Sequence, residues 1–252
     1  MVIIILLGVI AFSLYKIVPY YYSLYKAKNQ YQTITKKVVK LGDISKKTRK
    51  QNPGWWYQNI KIDFKKLQAE GKDVNAWIRF DDTETIRVNY PVVYSGDDTT
   101  YLHADLYRRY SFPGTLFIEA KNRPNWKDQN YIIFGHNMRN LSMFGSLKKL
   151  QQADIYKKNQ YFTIYRPNGA YRYRIFSAFT TNENSKVYSV YASKGDNYTA
   201  YLNYLKSGSD ISSSVKVTGS SKIVTLSTCT SAGDSYRYTV HGVLVAKHIY
   251  NR

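Results

Sequence analysis

Lys222-Ile223-Val224-Thr225-Leu226-Ser227-Thr228-Cys229 is a short apolar, β-branched run that gives way to a polar stretch, residues 230–235. Branched side chains pack well on a pleated surface and lose rotamer freedom in a helix, so a run this short reads as a buried strand. Seven segments of the same kind surround it: WIRF (77–80), IRVNYPVVY (86–94), GTLFIEA (114–120), NYIIFG (130–135), YFTIYR (161–166), YRYRIFSAF (171–179) and YRYTVHGVLVAKHIY (236–250). Each is bounded by Gly, Pro, Asn, Asp or Ser. Arg166-Pro167-Asn168-Gly169 joins two of them as a hairpin turn. Eight strands with few helices predict a closed β-barrel, since closure removes exposed edges. Two helical stretches interrupt the strands, residues 143–158 and about 197–206, and His103 falls in a further Tyr- and Leu-rich segment read as helix.

Upstream of residue 75 the pattern differs. Residues 2–15 are an apolar run, closed by Lys16 and followed by aromatic IVPYYYSLY, which suits a membrane interface. The run is short for a span of roughly 20 residues, but snorkelling by Lys16 extends it through Val18. No small-residue cleavage site follows closely, so residues 1–19 are expected to be an uncleaved signal anchor. Lys16, Lys26 and Lys28 all follow the run, which by the positive-inside rule favours a cytoplasmic C-terminus. A barrel outside the cell needs the reverse, and an upstream basic cap would supply it. Residues 20–74 are expected to form a helical region, with one helix from Tyr20 to about Lys50, broken at Pro53-Gly54, and a second over residues 60–70, ending at Gly71. Residues 75–252 form the barrel.

The chain carries 37 Lys+Arg against 17 Asp+Glu, a net charge of +20. Nucleic acid, anionic lipid and a polyanionic wall would all attract such a surface. The basic residues are dispersed and no nucleic-acid-binding motif accompanies them, so no nucleic-acid partner is expected. A membrane or wall setting fits better, and a solvated basic surface without a specific partner is the plainer alternative. The 26 tyrosines suit strands and aromatic grooves, as they also suit an AT-rich codon bias.

A single cysteine excludes an internal disulfide and a cysteine-based zinc cluster. No HExxH or other ligand spacing occurs, and no metal or other cofactor is expected. A lone cysteine is most often a small core residue. Cys229, however, stands at the polar exit of a strand, where a rigid element meets space for substrate. A reactive thiol needs a histidine or cation nearby. His136 mirrors Cys229, following its own buried strand through Gly135, whereas His241 lies within a strand and His248 beside the terminus. Arg237 falls eight residues after Cys229 (237 − 229), so a hairpin returns it beside the thiol. There it either stabilises an oxyanion or pairs on the surface with Asp234. No acidic residue is obviously placed to orient His136.

These residues resemble the sortase family. Thr225-Leu226-Ser227-Thr228-Cys229 is similar to its TLxTC signature, and His136 and Arg237 match its histidine and arginine in the family's order. NYPVVY (89–94), PGTLFIEA (113–120), YIIFGHNM (131–138) and MFGSLKKL (143–150) resemble the class B branch, over a span from about Tyr20 to the end. The resemblance implies a mainly β fold, an eight-stranded sortase-type barrel with N-terminal helices and a helix in the insert before the cysteine strand. It implies a cysteine transpeptidase of Gram-positive bacteria, held by a single membrane pass with its catalytic domain extracellular. Cys229 would attack a threonine carbonyl in a C-terminal sorting signal to give a thioacyl enzyme. His136 would exchange protons with the leaving and incoming amines, and Arg237 would hold the carbonyl oxygen. The acceptor would be an amine of a peptidoglycan precursor, or a pilin lysine in pilus-polymerising members. Leu102, Phe134, Ser227 and Thr228 would line the peptide groove, with Thr180 or Thr181 opposite. Thr230 departs from the acidic residue some relatives carry. An L,D-transpeptidase is disfavoured by the missing SHGC-like signature. The non-enzymatic alternative is a wall- or membrane-binding module with a structural Cys229.

Overall fold

The computed structural model describes residues 2–230 and 233–251; of Val2, Ile4, Lys16, Cys229 and Asp234 the backbone alone is described. The elements in chain order are α1 (Val2–Val38), β1 (Val39–Leu41), α2 (Lys46–Gln51), α3 (Trp55–Gln58), β2 (Ile60–Ile62), α4 (Phe64–Glu70), β3 (Val74–Phe80), β4 (Asn89–Val93), β5 (Leu116–Ile118), β6 (Asn130–Phe134), α5 (Ala153–Lys158), β7 (Tyr161–Arg166), β8 (Gly169–Asn182), α6 (Asp196–Ser207), β9 (Ile223–Thr230) and β10 (Gly233–Ile249).

β3 to β10 close into a barrel in the order β10-β8-β7-β3-β4-β5-β6-β9. All eight strands read from the sequence are present, and the 166–169 turn joins β7 to β8 with Arg166 opposite Gly169. Alternation turns Ile78, Phe80, Phe162, Leu226 and Val240 into a fully buried interior. Two pairs are parallel, β4/β5 and β6/β9. A parallel pair needs a long crossover. Between β6 and β9 that crossover carries β7, β8 and α6. The inner face of α6 presents Tyr198, Tyr201, Leu202 and Leu205, which form a second apolar cluster with Phe176, Phe179 and Val243.

The helical readings need four corrections. α1 runs unbroken through Pro19 to Val38 rather than ending near Lys50. Leu24, Ala27, Tyr31, Ile34 and Val38 recur at helical spacing and are buried against the barrel. The Tyr31 hydroxyl lies 2.9 Å from the Gly114 carbonyl, to which it donates, and from Thr115 Oγ1. Residues 60–70 are not one helix, because Ile60–Ile62 pairs with β1 and Asp63 then caps α4 by accepting from the Lys66 N–H at 3.0 Å. The stretch 143–158 is helical only from Leu147, as a 3-10 turn followed by α5. His103 lies in a loop, where the Asp105 carboxylate accepts from the Tyr107 and Arg109 N–H groups and diverts the chain from helix.

α3 is tied to the barrel wall. Tyr165 donates to the Trp56 carbonyl at 2.7 Å, and Arg172 of β8 pairs with Asp81 while lying 5.3 Å from the Trp55 ring centre.

His241, in mid-strand, is fully buried, with Nδ1 2.9 Å from Thr225 Oγ1 and Nε2 3.1 Å from Thr239 Oγ1. Burial lowers its pKa from 6.5 to about 3. Below pH 6.5 the unfolded chain takes up a proton that the folded chain refuses until about pH 3, so stability falls as pH drops through that window. At pH 5 the loss is about 2 kcal/mol. Urea midpoints at pH 7 and pH 5 should differ accordingly in the wild type, and the difference should shrink in His241→Gln. An equal pH dependence in both would refute this.

Candidate active site

β6 and β9 run parallel with Phe134 opposite Ser227, and the Gly135 N–H continues the ladder to the Ser227 carbonyl at 3.1 Å. Two residues further along each strand lie His136 and Cys229, which are therefore level at one end of the barrel. β10 runs antiparallel on the other side of β9 and sets Arg237 directly opposite Cys229. The three positions thus sit side by side across three neighbouring chain segments. The side chain of Cys229 lies outside the described residues, as do residues 231 and 232 of the expected loop; Gly233 to Ser235 already belong to β10.

A cavity of about 200 Å³ opens here, and Leu102, Phe134, His136, Ser227, Thr228 and Arg237 all contribute to its wall. Thr180 and Thr181 stand outside this lining, although Thr181 pairs with Arg237 across β8 and β10. The wall also includes Phe117, whose ring centre is 5.4 Å from that of Phe134, and Asp98 at the rim. Asp98 accepts from the Ala120 N–H at 2.8 Å. Burial and the adjoining Asp98 charge push the Glu119 carboxyl upward.

The imidazole of His136 is half-buried, with Nε2 2.7 Å from the Leu102 carbonyl. A carbonyl can only accept, so Nε2 carries the proton and Nδ1 is the free acceptor of the neutral ring. Burial lowers the His136 pKa; the Leu102 carbonyl opposes this and the neighbouring His103 adds to it. The ring clusters with His103, at 5.0 Å, and Phe112, at 6.4 Å and nearly parallel, which are themselves 6.0 Å apart. A backbone carbonyl thus orients this histidine, where no acidic residue was found in the sequence. Gly114, at φ +60, makes that carbonyl accessible: an added Cβ would lie 2.3 Å from the Leu102 oxygen. Gly135 is equally constrained, since a Cβ there would meet Leu116 at 2.3 Å.

Arg237 pairs with Glu183 at 2.8 Å, and its Nη1 donates to the Tyr236 carbonyl at 3.2 Å. Glu183 follows the long strand β8, 54 residues earlier, and sequence proximity pointed instead to Asp234, whose side chain lies outside the described residues. Tyr188 was also missed. Its hydroxyl lies 2.9 Å from Ser227 Oγ and its ring stacks on Phe134. The Asn130 amide, bonded to the Ser189 carbonyl and the Tyr191 N–H at 2.7 Å each, holds the loop that carries Tyr188. The Thr228 hydroxyl is buried with no partner among the described residues.

Comparison with known proteins agrees with this geometry. The sortase domain model matches residues 82–245. Sortase B of Listeria monocytogenes is 30% identical over 190 residues, covering 75% of this chain and 76% of the relative. The crystal structure of sortase B from Clostridium perfringens has a TM-score of 0.68 at 28% identity, covering 73% of this chain and 100% of that one. Sortase B from Bacillus anthracis, solved in complex with AAEK1, has a TM-score of 0.73 at 26% identity, covering 89% of this chain and 99% of that one.

In an NMR titration of labelled histidines, His136 should titrate below 6.5. His103→Ala should move it upward, because the variant removes both a like charge and part of the covering surface. A His136 value above 6.5 in the wild type would contradict this account.

Proposed function

The chain belongs to the sortase family, in its class B branch, and is a cysteine transpeptidase; on that premise we propose that Cys229 is the nucleophile, served by His136 and Arg237. The observation that carries this reading is the register: one parallel and one antiparallel pairing set His136 and Arg237 on the two sides of Cys229. The substrate is a C-terminal sorting signal cleaved after threonine. Neutral His136 takes the thiol proton at Nδ1, and the Cys229 sulfur attacks the threonine carbonyl carbon. The scissile C–N bond breaks, the imidazolium protonates the leaving amine, and a thioester is left on Cys229. An amine of a peptidoglycan precursor then attacks the thioester, loses its proton to His136 and expels the sulfur. Arg237 stabilises the oxyanion of both tetrahedral intermediates, with Glu183 limiting the sweep of its long side chain. Leu102, Phe134, Ser227 and Thr228 line the groove for the sorting peptide.

The N-terminal part of α1 is the membrane anchor, with the barrel outside the cell. Its large apolar side chains such as Ile5, Leu6, Leu7, Ile10, Phe12 and Leu14 stand exposed, and each gains roughly 1.5–3 kcal/mol on leaving water. Tyr20, just beyond this segment, meets Phe112 edge-on at 5.2 Å, and Phe112 lies parallel to the His136 ring. The aromatic contact brings the root of the anchor to the mouth of the site, which suits substrates that are themselves tethered to the membrane.

Cleavage of a panel of sorting-signal peptides, with hydroxylamine as acceptor, tests this function. Wild type should release a hydroxamate product and form a thioacyl adduct detectable by mass, and Cys229→Ala should do neither. Arg237→Gln should lower kcat by roughly 10²–10³ with folding unchanged. Because His136 must be neutral to accept the thiol proton, activity should fall in acid with a midpoint below 6.5. Product formation by Cys229→Ala would sink the proposal.

A further inference from the structure

A second cavity, of about 220 Å³, opens at the other end of the same strands. Its wall includes Lys222, the residue before β9, and Leu244 and Lys247 in the second half of β10. Lys222 and Cys229 are seven residues apart, so the cavity lies roughly 20 Å along the barrel wall from the catalytic end. The mechanism makes no use of it.

Arg166 of β7 is held there in an unusual way. Its guanidinium carbon lies 3.4 Å from the Tyr171 ring centre and 5.2 Å from that of Trp126. Aromatic rings cover the planar cation, yet its guanidinium has no hydrogen bond or ion pair among the described residues, and Nε is buried without a partner. Lys222 Nζ donates to the Lys127 and Asp128 carbonyls at 3.0 and 3.2 Å, which leaves one N–H. Burial and the neighbouring Arg166 charge lower the Lys222 pKa, and the Asp128 charge opposes them. Asp128, the one carboxylate in this wall, is already claimed by the Arg123 side chain, the Arg123 N–H and Asn122. Trp126 and Tyr131, stacked at 4.5 Å, add an apolar floor.

We propose that this cavity binds a sugar or polyol phosphate, its phosphate on Arg166, Lys222 and Lys247 and its carbon skeleton on the aromatic floor. With Nε buried, the unpaired Nη1 and Nη2 groups of Arg166 are the preorganised fork for a bidentate oxyanion. Three cations around one unclaimed space match the double charge of a phosphate monoester better than a single carboxylate. The volume admits a phosphate and one ring. This site is independent of the transpeptidase reading.

Isothermal titration of the full chain in detergent with glucose 1-phosphate, glucose and glycerol 3-phosphate tests it, beside co-sedimentation with phosphatidylglycerol vesicles. Saturable binding of both phosphates, and none of glucose, is the expected result. Arg166→Lys, which keeps the charge and loses the fork, should weaken binding at least about tenfold. Lys247→Gln, at an exposed side chain, should weaken it severalfold without touching the fold. Both variants should keep the wild-type thermal transition and peptide-cleavage rate. Absence of saturable binding, equal binding by both variants and wild type, or association confined to vesicles would overturn the proposal.

Discussion

The parallel pairing of β6 with β9 is the constraint on which this molecule depends. Parallel neighbours end at the same edge of a sheet, so whatever follows Phe134 stands level with whatever follows Ser227. The chain must leave β6, build β7, β8 and α6, and return before it can lay down β9. Because β10 folds straight back along β9, a third residue arrives beside the second with no further device. The barrel brings three positions spread over about a hundred residues into one row, and closure of the sheet keeps that row from shearing.

Around this row the charges are arranged by backbone as much as by side chains. The Leu102 carbonyl selects the His136 tautomer, and Gly114 is the residue small enough to leave that carbonyl in reach. Burial beside His103 and Phe112 lowers the imidazole pKa, which suits the proton-accepting role proposed for it. Arg237, opposite Cys229, is held by a carboxylate on the end of β8 rather than by its neighbour in sequence. The same β8–β10 pairing that closes the barrel thus also positions the guanidinium.

The two cavities divide the barrel by chemistry. The catalytic one is mixed, with a rim carboxylate, an imidazole and aromatic walls. The distal one is cationic, on an aromatic floor. A net charge of +20 says nothing of such a division, since it sums over the whole surface. Most of those charges are solvated and weakly directed, whereas Arg166 is fixed by rings on its faces.

Sequence alone determined the strands and the candidate site. Period-two patterning and turn residues are local properties, so all eight barrel strands, the 166–169 turn and the candidates His136, Cys229 and Arg237, which the register brings side by side, were legible without coordinates. Local pattern failed where another contact competes with helix propensity: at Ile60–Ile62, which pairs with β1 before Asp63 caps α4, and at Asp105, which turns the chain at His103. Tertiary structure decided the partners. Leu102 reaches His136 across 34 residues, Glu183 reaches Arg237 across 54, and Tyr188 reaches Ser227 across 39. No spacing rule connects positions that far apart, because their proximity is created by the crossover and by barrel closure. The residues proposed to react are written in the sequence, while those that hold them in place exist as neighbours only once the sheet has closed.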